Sequence, residues 1–347
     1  MKTLIEYRIE EELARLIFAP GEVRVIGKRL RLADVKLDAE DSRWIALARL
    51  YDKHRGKGFY GWQIHRNYSS TETRDAKLHL FRITTGILPT GEECGTQYDD
   101  NDVCPLCGAG RIQVSPLRLR LSNAPKRAEF ARTWFGEAIV SARVVRLLID
   151  EGMTGFGLGP VQRSKKGDEE PFTLSETASG KQLLDAATKA GIPYPSPQFY
   201  VWINASEQRN TFLSAVNEHN DKKLARRRLF GGTSADWYQL FVTSMPVDLA
   251  SATRFGENPF DNDSRGLYHC PLGLRDHVVG MNLLSQVVVQ NNNIEGTDFV
   301  RSRGLVERRG PRPLLFVSPR LRELLVKNKV KGWASEVARI DGGQSQN

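Results

Sequence analysis

Two stretches of the chain share one pattern of apolar and polar positions. In each stretch an apolar run ends at a serine, apolar side chains then recur at helical spacing, and a glycine followed by an aromatic residue comes next. Val140–Ile149 aligns with Val317–Val326 at an offset of 177 residues, and Met153–Phe156 aligns with Val330–Trp333 at the same offset. An apolar strand, a helix and a return strand are the elements that this pattern predicts.

The repeat therefore predicts two duplicated strand–helix–strand units, at 133–161 and 312–338. Ser141 and Ser318 are the predicted N-caps, and Pro319 suits the first helical position, where its missing N–H has no partner to lose. Elsewhere helical and strand patterns mix without strict alternation, which favours an α+β fold. The predicted regions are an N-terminal α+β region (1–88), a zinc-knuckle turn with the first unit (89–175), and a C-terminal α+β domain with the second unit (176–347).

Three cysteines lie at spacings typical of a zinc knuckle. Cys104 and Cys107 are separated by two residues and followed by Gly108, so a tight turn can direct both sulfurs at one ion. Cys94, followed by a glycine, looks like half of a second such turn. We expect a structural zinc ion held by Cys94, Cys104 and Cys107. A turn with reduced free thiols is the alternative.

Gly91 occupies the position of the remaining cysteine, so either the fourth zinc ligand comes from another part of the chain or the site is degenerate. His79, on the predicted strand before Cys94, is the candidate that we favour. Carboxylates also bind zinc, so nearby acidic residues compete for the same role. They are Glu92, Glu93, Asp99 and Asp100.

A weaker echo of the knuckle turn occurs before the second unit. Cys270-Pro271-Leu272 repeats Cys104-Pro105-Leu106 without the second cysteine, and each copy precedes one of the repeated units. A duplicated module whose second metal turn has decayed would give this order.

Composition and charge limit the range of functions. The chain has 347 residues, enough for two or three domains with cores, and a net charge of +9 from 50 basic and 41 acidic residues. This charge permits attraction to nucleic acid or to an acidic protein, but basic residues are spread along the chain with acidic residues between them. Cysteines at metal spacing, early charge at the N-terminus and the lack of an apolar stretch of about 18 residues predict a cytoplasmic protein without membrane contact.

The usual catalytic motifs are missing from the sequence. It contains no GxSxG elbow, Walker A loop, HExxH helix or EF-hand loop, and its six histidines are scattered. We therefore expect a binding protein rather than an enzyme, and we infer no small-molecule substrate.

The order of the motifs resembles the bacterial double-CxxCG-motif proteins and related immunity proteins of polymorphic toxin systems. The resemblance is carried by Cys94-Gly95, by Cys104–Gly108 and by Val140–Val161, and it returns at Val317–Val337. It implies a non-catalytic cytoplasmic protein that binds and neutralises a cognate toxin domain.

A turn-rich loop near residue 258 is the candidate surface for this partner. Arginine and aromatic residues dominate binding hot spots, and the loop combines both with acidic side chains. The predicted partner-binding residues are Arg254, Phe255, Glu257, Phe260, Asp261 and Asp263.

The alternative function is a zinc-knuckle nucleic-acid-binding protein that contacts phosphates through the basic end of a predicted helix. The same basic residues also suit the negative end of the helix dipole. They are Lys222, Lys223, Arg226, Arg227 and Arg228.

Overall fold

A computed structural model describes most of the chain outside a long central segment. The described residues are 1–88, 90–105, 108–133, 135–164, 233–261, 270, 282–290, 294, 296–306 and 311–341. They form 18 strands and five α-helices. The predicted α+β fold class is therefore wrong. The described part of the chain is mostly β, because most of its short apolar runs pair into sheets while single helices connect strands.

The helices are short, and no described helix is long and apolar enough to span a bilayer. They are α1 (Glu11–Ala14), α2 (Arg43–His54), α3 (Ser70–Asp75), α4 (Ala142–Asp150) and α5 (Pro319–Lys327).

The strands range from two to ten residues in length. In chain order they are β1 (Lys2–Glu10), β2 (Arg24–Ile26), β3 (Leu32–Asp38), β4 (Phe59–Asn67), β5 (Leu78–Ile83), β6 (Tyr98–Asp99), β7 (Ile112–Gln113), β8 (Leu117–Leu119), β9 (Phe130–Arg132), β10 (Ala138–Ser141), β11 (Phe156–Arg163), β12 (Thr233–Val242), β13 (Phe255–Gly256), β14 (Asn282–Leu283), β15 (Val288–Gln290), β16 (Phe299–Val306), β17 (Arg312–Val317) and β18 (Trp333–Asp341).

An antiparallel N-terminal sheet has the strand order β2-β3-β1-β4. Alternate residues of β1, namely Ile5, Tyr7 and Ile9, are buried, as period-2 side-chain alternation requires of a strand with one covered face. The core of this sheet also contains Leu47 of α2.

Two five-stranded sheets follow, and they have the same topology. The first sheet has the order β8-β11-β12-β10-β9 and the second has the order β15-β18-β5-β17-β16. In each sheet the middle strand is antiparallel to both of its neighbours. One edge strand (β9 or β16) pairs antiparallel with the strand beside it, and the other edge strand (β8 or β15) pairs parallel with the strand beside it. The pairing registers also match: Ile139 and Gly159 flank Gln239 in the first sheet, as Phe316 and Glu336 flank Leu80 in the second.

The predicted N-caps are confirmed. The side-chain oxygens of Ser141 and Ser318 accept hydrogen bonds from the backbone N–H groups of Val144 and Leu321, at 3.3 and 3.0 Å. However, the two strands of each repeated segment do not pair with each other. They lie on opposite sides of a middle strand that comes from elsewhere in the chain, which is a further reason why the predicted fold class is wrong.

The chain crosses between the two sheets at both middle strands. β5 precedes β8–β11 in sequence but lies in the second sheet, and β12 precedes β15–β18 but lies in the first. After β5, the Ile87 N–H donates to the Arg132 carbonyl of the first sheet at 2.9 Å. After β12, the Val247 N–H donates to the Arg301 carbonyl of the second sheet at 2.9 Å. The two sheets are therefore interlocked. The predicted region boundaries at residues 88 and 175 stay predictions.

One apolar core lies between the two sheets and takes equivalent residues from both. Phe130 and Phe299 are fully buried in this core at matching positions of β9 and β16. Gly155 has φ +82° and Gly332 has φ +95°, and a Cβ at either position would lie within 2.4 Å of the carbonyl oxygen of Phe299 or Phe130, respectively. Each glycine thus allows the backbone of one sheet to pack directly against the other.

Candidate partner cleft and cysteine pair

Cys104 and Cys270 form a buried pair. Their sulfur atoms lie 3.6 Å apart, and the two residues are only 1% and 4% exposed. Ala109 and Leu305 pack around them. The sequence contains the repeated Cys-Pro-Leu, but it did not predict that the two cysteines Cys104 and Cys270 lie in contact.

Cys94 does not join this pair. It lies in a short 3-10 turn and is buried, and its sulfur hydrogen-bonds with the backbone of Arg120 and the side chain of Ser164. Burial raises the pKa of the Cys94 thiol. Cys107 lies outside the described residues. Within the described ranges, no three His, Cys, Asp or Glu side chains are grouped in a way that could hold a metal ion, so the predicted set of Cys94, Cys104 and His79 is not assembled.

His79 lies in the interior of the second sheet, on β5 between β17 and β18. It is 1% exposed, and neither ring nitrogen hydrogen-bonds to a described residue. Burial, together with the charge of Arg322, lowers the pKa of His79 to about 4. His79 is therefore a neutral interior residue at ordinary pH.

The acidic residues near Cys94 are engaged in other contacts. Arg111 donates to both Glu92 oxygens at 2.8 Å and to Asp100 at 2.8 Å. The Glu93 carboxylate accepts a hydrogen bond from the Thr90 backbone N–H at 2.7 Å. These contacts fix the surface loop around the 3-10 turn.

The predicted partner loop is attached to the N-terminal sheet. The ring of Phe260 packs against Tyr7, Trp44 and Tyr51, with ring centroids 5.4 to 5.6 Å apart. Phe255 is buried. These aromatic rings stabilise the contact between distant parts of the chain and are not exposed anchors.

Polar contacts hold the same loop in a fixed shape. The Asp261 carboxylate accepts from the backbone N–H groups of Glu257 and Asn258 at 2.5 and 3.0 Å, and the Trp62 indole donates to the Glu257 carbonyl at 3.2 Å. Arg254 and the Glu257 side chain are exposed. Asp263 lies outside the described residues, as do the predicted nucleic-acid contacts Lys222, Lys223, Arg226, Arg227 and Arg228.

A cleft of about 1000 Å³ opens where the two sheets meet, beside the turn that contains Cys104. It is bounded by β12, by the β6–β7 pair and by residues of β16 and β17. Phe241 and Ile112 are 42% and 49% exposed at its wall. The Phe241 ring lies over Gly159, where a Cβ would come within 2.8 Å of a ring carbon. Because the lining comes from four distant segments, sequence reasoning missed this site.

Two buried polar atoms at this cleft have no partner among the described residues. They are Oε2 of Glu137 and Nε of Arg301. The other Glu137 oxygen accepts from the Tyr98 hydroxyl, and burial raises the pKa of Glu137. The Arg111 guanidinium lies 4.3 Å from the Tyr98 ring centroid, which fixes that side of the wall. The cleft therefore combines exposed apolar surface with two buried polar atoms in its lining residues that have no partner in the described part of the chain.

Comparisons with protein-family models, with curated proteins and with solved structures found no match for this chain. Its function must therefore be argued from its own geometry.

Proposed function

We propose that this chain is a non-catalytic binding protein of immunity type, which neutralises a cognate toxin domain by holding part of it in the cleft between the two sheets. The observation that carries the proposal is the combination of two polar atoms, on Glu137 and Arg301, that lack a partner among the described residues with the exposed Phe241 ring and Ile112 side chain of the same cleft. The proposed setting is the cytoplasm.

The unpaired atoms favour a partner that supplies peptide-like groups. A buried polar atom without a partner costs about 1–3 kcal/mol, so a bound segment whose carbonyl reaches Arg301, or whose N–H or hydroxyl reaches Glu137, would relieve that cost. The stabilisation gained on binding would add to the apolar burial of Phe241 and Ile112. Aromatic and arginine side chains in a desolvated pocket are typical of interface hot spots.

The first experiment is co-expression with the product of the adjacent gene. We expect the two proteins to co-purify and the growth arrest caused by the partner to be relieved. If the pair neither co-purify nor restore growth, while the purified chain retards nucleic acid in a strongly salt-dependent manner, the nucleic-acid-binding alternative replaces this proposal.

Phe241 provides the sharper test of where the partner binds. Phe241→Ala should weaken binding by about 30-fold, the loss expected for a hot spot of about 2 kcal/mol. Ile149→Ala is the matched control, because Ile149 is an exposed apolar residue on α4 that does not line the cleft. Equal losses for the two variants, measured by calorimetric titration, would remove the cleft from the proposal.

A further inference from the structure

The N-terminal sheet ends in a strand whose outer edge is unpaired within the described part of the chain. β4 is an edge strand, because the order of its sheet is β2-β3-β1-β4. It is nine residues long, and a long edge strand presents a row of backbone N–H and C=O groups that can pair with another chain. Prolines commonly block such pairing, and β4 contains none.

Two residues of β4 turn their backbone groups away from β1. The Thr3 carbonyl of β1 accepts from the Ala39 N–H at 2.9 Å, on the side of β3. Because alternate residues of a strand bond to opposite neighbours, Thr3 and Ile5 both bond towards β3. Their partners on β4 are Arg66 and Ile64, whose N–H and C=O groups therefore point to the open side. No other described segment donates to these four groups or accepts from them.

The open edge faces a cavity of about 480 Å³, which we call the edge cavity. Residues 62–67 of β4 all line it, and because a strand rises about 3.3 Å per residue the cavity follows the edge for about 16 Å. The second sheet contributes Leu80, Arg82 and Glu336 from its outer face. The Arg66 side chain crosses to Glu336 and to the Leu283 carbonyl of β14. The two sheets are thus bridged, but the space between them is not filled.

The charges around the edge cavity favour an acidic occupant. Arg66 has only 4% of its side chain exposed, and it shares Glu336 with Arg82: the two guanidiniums lie 3.1 and 2.6 Å from that one carboxylate. Among the described lining residues these are the two arginines and the single carboxylate, which leaves one positive charge in excess. The amide side chains of Gln63 and Asn282 add further hydrogen-bond donors.

We propose that an extended segment of a partner protein adds to the edge of β4 as a further strand, with one acidic side chain beside Arg66 and Arg82. Main-chain hydrogen bonds to Ile64 and Arg66 supply the affinity of such a strand addition, and side-chain contacts supply its selectivity. The carboxylate forms charge-assisted hydrogen bonds that balance the excess guanidinium charge.

The shape of the edge cavity favours a single segment over a second copy of this chain. The second sheet walls the cavity, so one strand can enter beside β4 but a whole sheet cannot. The edge cavity shares no described lining residue with the cleft between the two five-stranded sheets. The proposal is therefore independent of the proposed function.

The test starts from a displayed library of short random peptides, selected on the full-length protein. We expect the selected sequences to share an aspartate or a glutamate. Fluorescence anisotropy with a selected synthetic peptide then measures affinity. N-methylation of alternate peptide residues removes N–H donors and should weaken binding by about tenfold, the loss expected for a hydrogen bond at a desolvated edge.

Ile64→Pro removes one outward N–H of β4. Proline is tolerated on an edge strand where its N–H would face away from the sheet, so the pairing with β1 is kept. Peptide binding should again fall by about tenfold. Ile64→Val is the matched control, because it keeps the N–H and should bind like the wild type.

A second pair of variants keeps the proposal testable if Ile64→Pro fails to fold. Arg82→Gln removes an exposed arginine at the edge cavity, whereas Arg74→Gln removes a comparably exposed arginine that does not line it. Only Arg82→Gln should weaken peptide binding.

Three results would each overturn the proposal. They are the absence of any selected peptide that binds, binding that is unchanged in Arg82→Gln or in folded Ile64→Pro, and a free chain that is a dimer until Ile64→Pro makes it a monomer. In the last case a second copy occupies the edge. Peptides that lose affinity in Phe241→Ala but in neither of these variants would bind the cleft, which would contradict strand addition and support the proposed function.

Discussion

The two five-stranded sheets have matching interiors but different outer faces. Each outer face has two positions that are diagonal neighbours, one on the middle strand and one on the strand beside it. In the second sheet they hold Arg82 and Glu336, which form an ion pair at 2.6 Å, and Arg66 of the N-terminal sheet reaches the same Glu336 at 3.1 Å. In the first sheet the equivalent positions hold Phe241 and Gly159. The outer face of the second sheet is joined to the N-terminal sheet, whereas the outer face of the first sheet presents the Phe241 ring at the cleft.

This difference shows which parts of two sheets with the same topology are free to differ. The shared core requires Phe130 and Phe299, and the close approaches require Gly155 and Gly332, so the interior positions stay alike in both copies. The outer faces pack into two separate clusters, around Ile139 in the first sheet and around Leu80 in the second, so their residues need not match. We infer that the second face became an internal contact, whereas the first remained open for a partner.

The largest expected effect comes from the equivalent core phenylalanines. Phe130→Ala and Phe299→Ala should each lower the free energy of unfolding by about 3–5 kcal/mol, because each removes a fully buried ring from one core. Urea denaturation of both variants measures the losses. A decrease in the free energy of unfolding below about 1 kcal/mol for only one of the two variants would contradict the equivalence of the two sheets.

A smaller effect, the pH dependence of stability, should distinguish the two middle strands. His79 has a folded pKa of about 4 and an ordinary value of 6.5, so below pH 6.5 the unfolded chain binds more protons than the folded chain. Stability should therefore fall as pH drops from 6.5 to 4, by on the order of 3 kcal/mol from this group, and no further below the folded pKa. The equivalent position of β12 holds Tyr238 and therefore carries no imidazole.

Denaturation of wild type and His79→Leu at pH 7 and pH 4.5 measures this contribution. We expect the variant to lose clearly less stability than the wild type on acidification. The same pH dependence in both proteins would show that His79 is not a buried neutral base.

Part of this architecture could be predicted from sequence, because some of its signals are local. The serine N-caps and the helical spacing after them lie within about ten residues, and both caps formed as expected. The equivalence of the two middle strands, β5 and β12, could not be recognised from their sequences. His79-Leu80-Phe81-Arg82-Ile83 corresponds to Tyr238-Gln239-Leu240-Phe241-Val242, and no position is identical.

The site was harder to predict, because its residues meet only through long-range pairing. The knuckle hypothesis grouped Cys94 with Cys104 by nearness in sequence, whereas Cys104 contacts Cys270 across the two repeats. The repeated Cys-Pro-Leu turn was the signal that pointed there. Phe260 was predicted as a partner-binding residue, but its ring packs against Tyr7 of β1 and Trp44 of α2, which lie about 200 residues away in the sequence.

The most direct test of the open-face account is side-chain footprinting of the chain alone and bound to the adjacent gene product. Hydroxyl-radical labelling of Phe241 and Ile112 should fall strongly in the complex. Labelling of Ile149 and Met245, exposed apolar residues that do not line the cleft, should stay unchanged. Unchanged labelling of Phe241 and Ile112 in a stable complex would contradict the account.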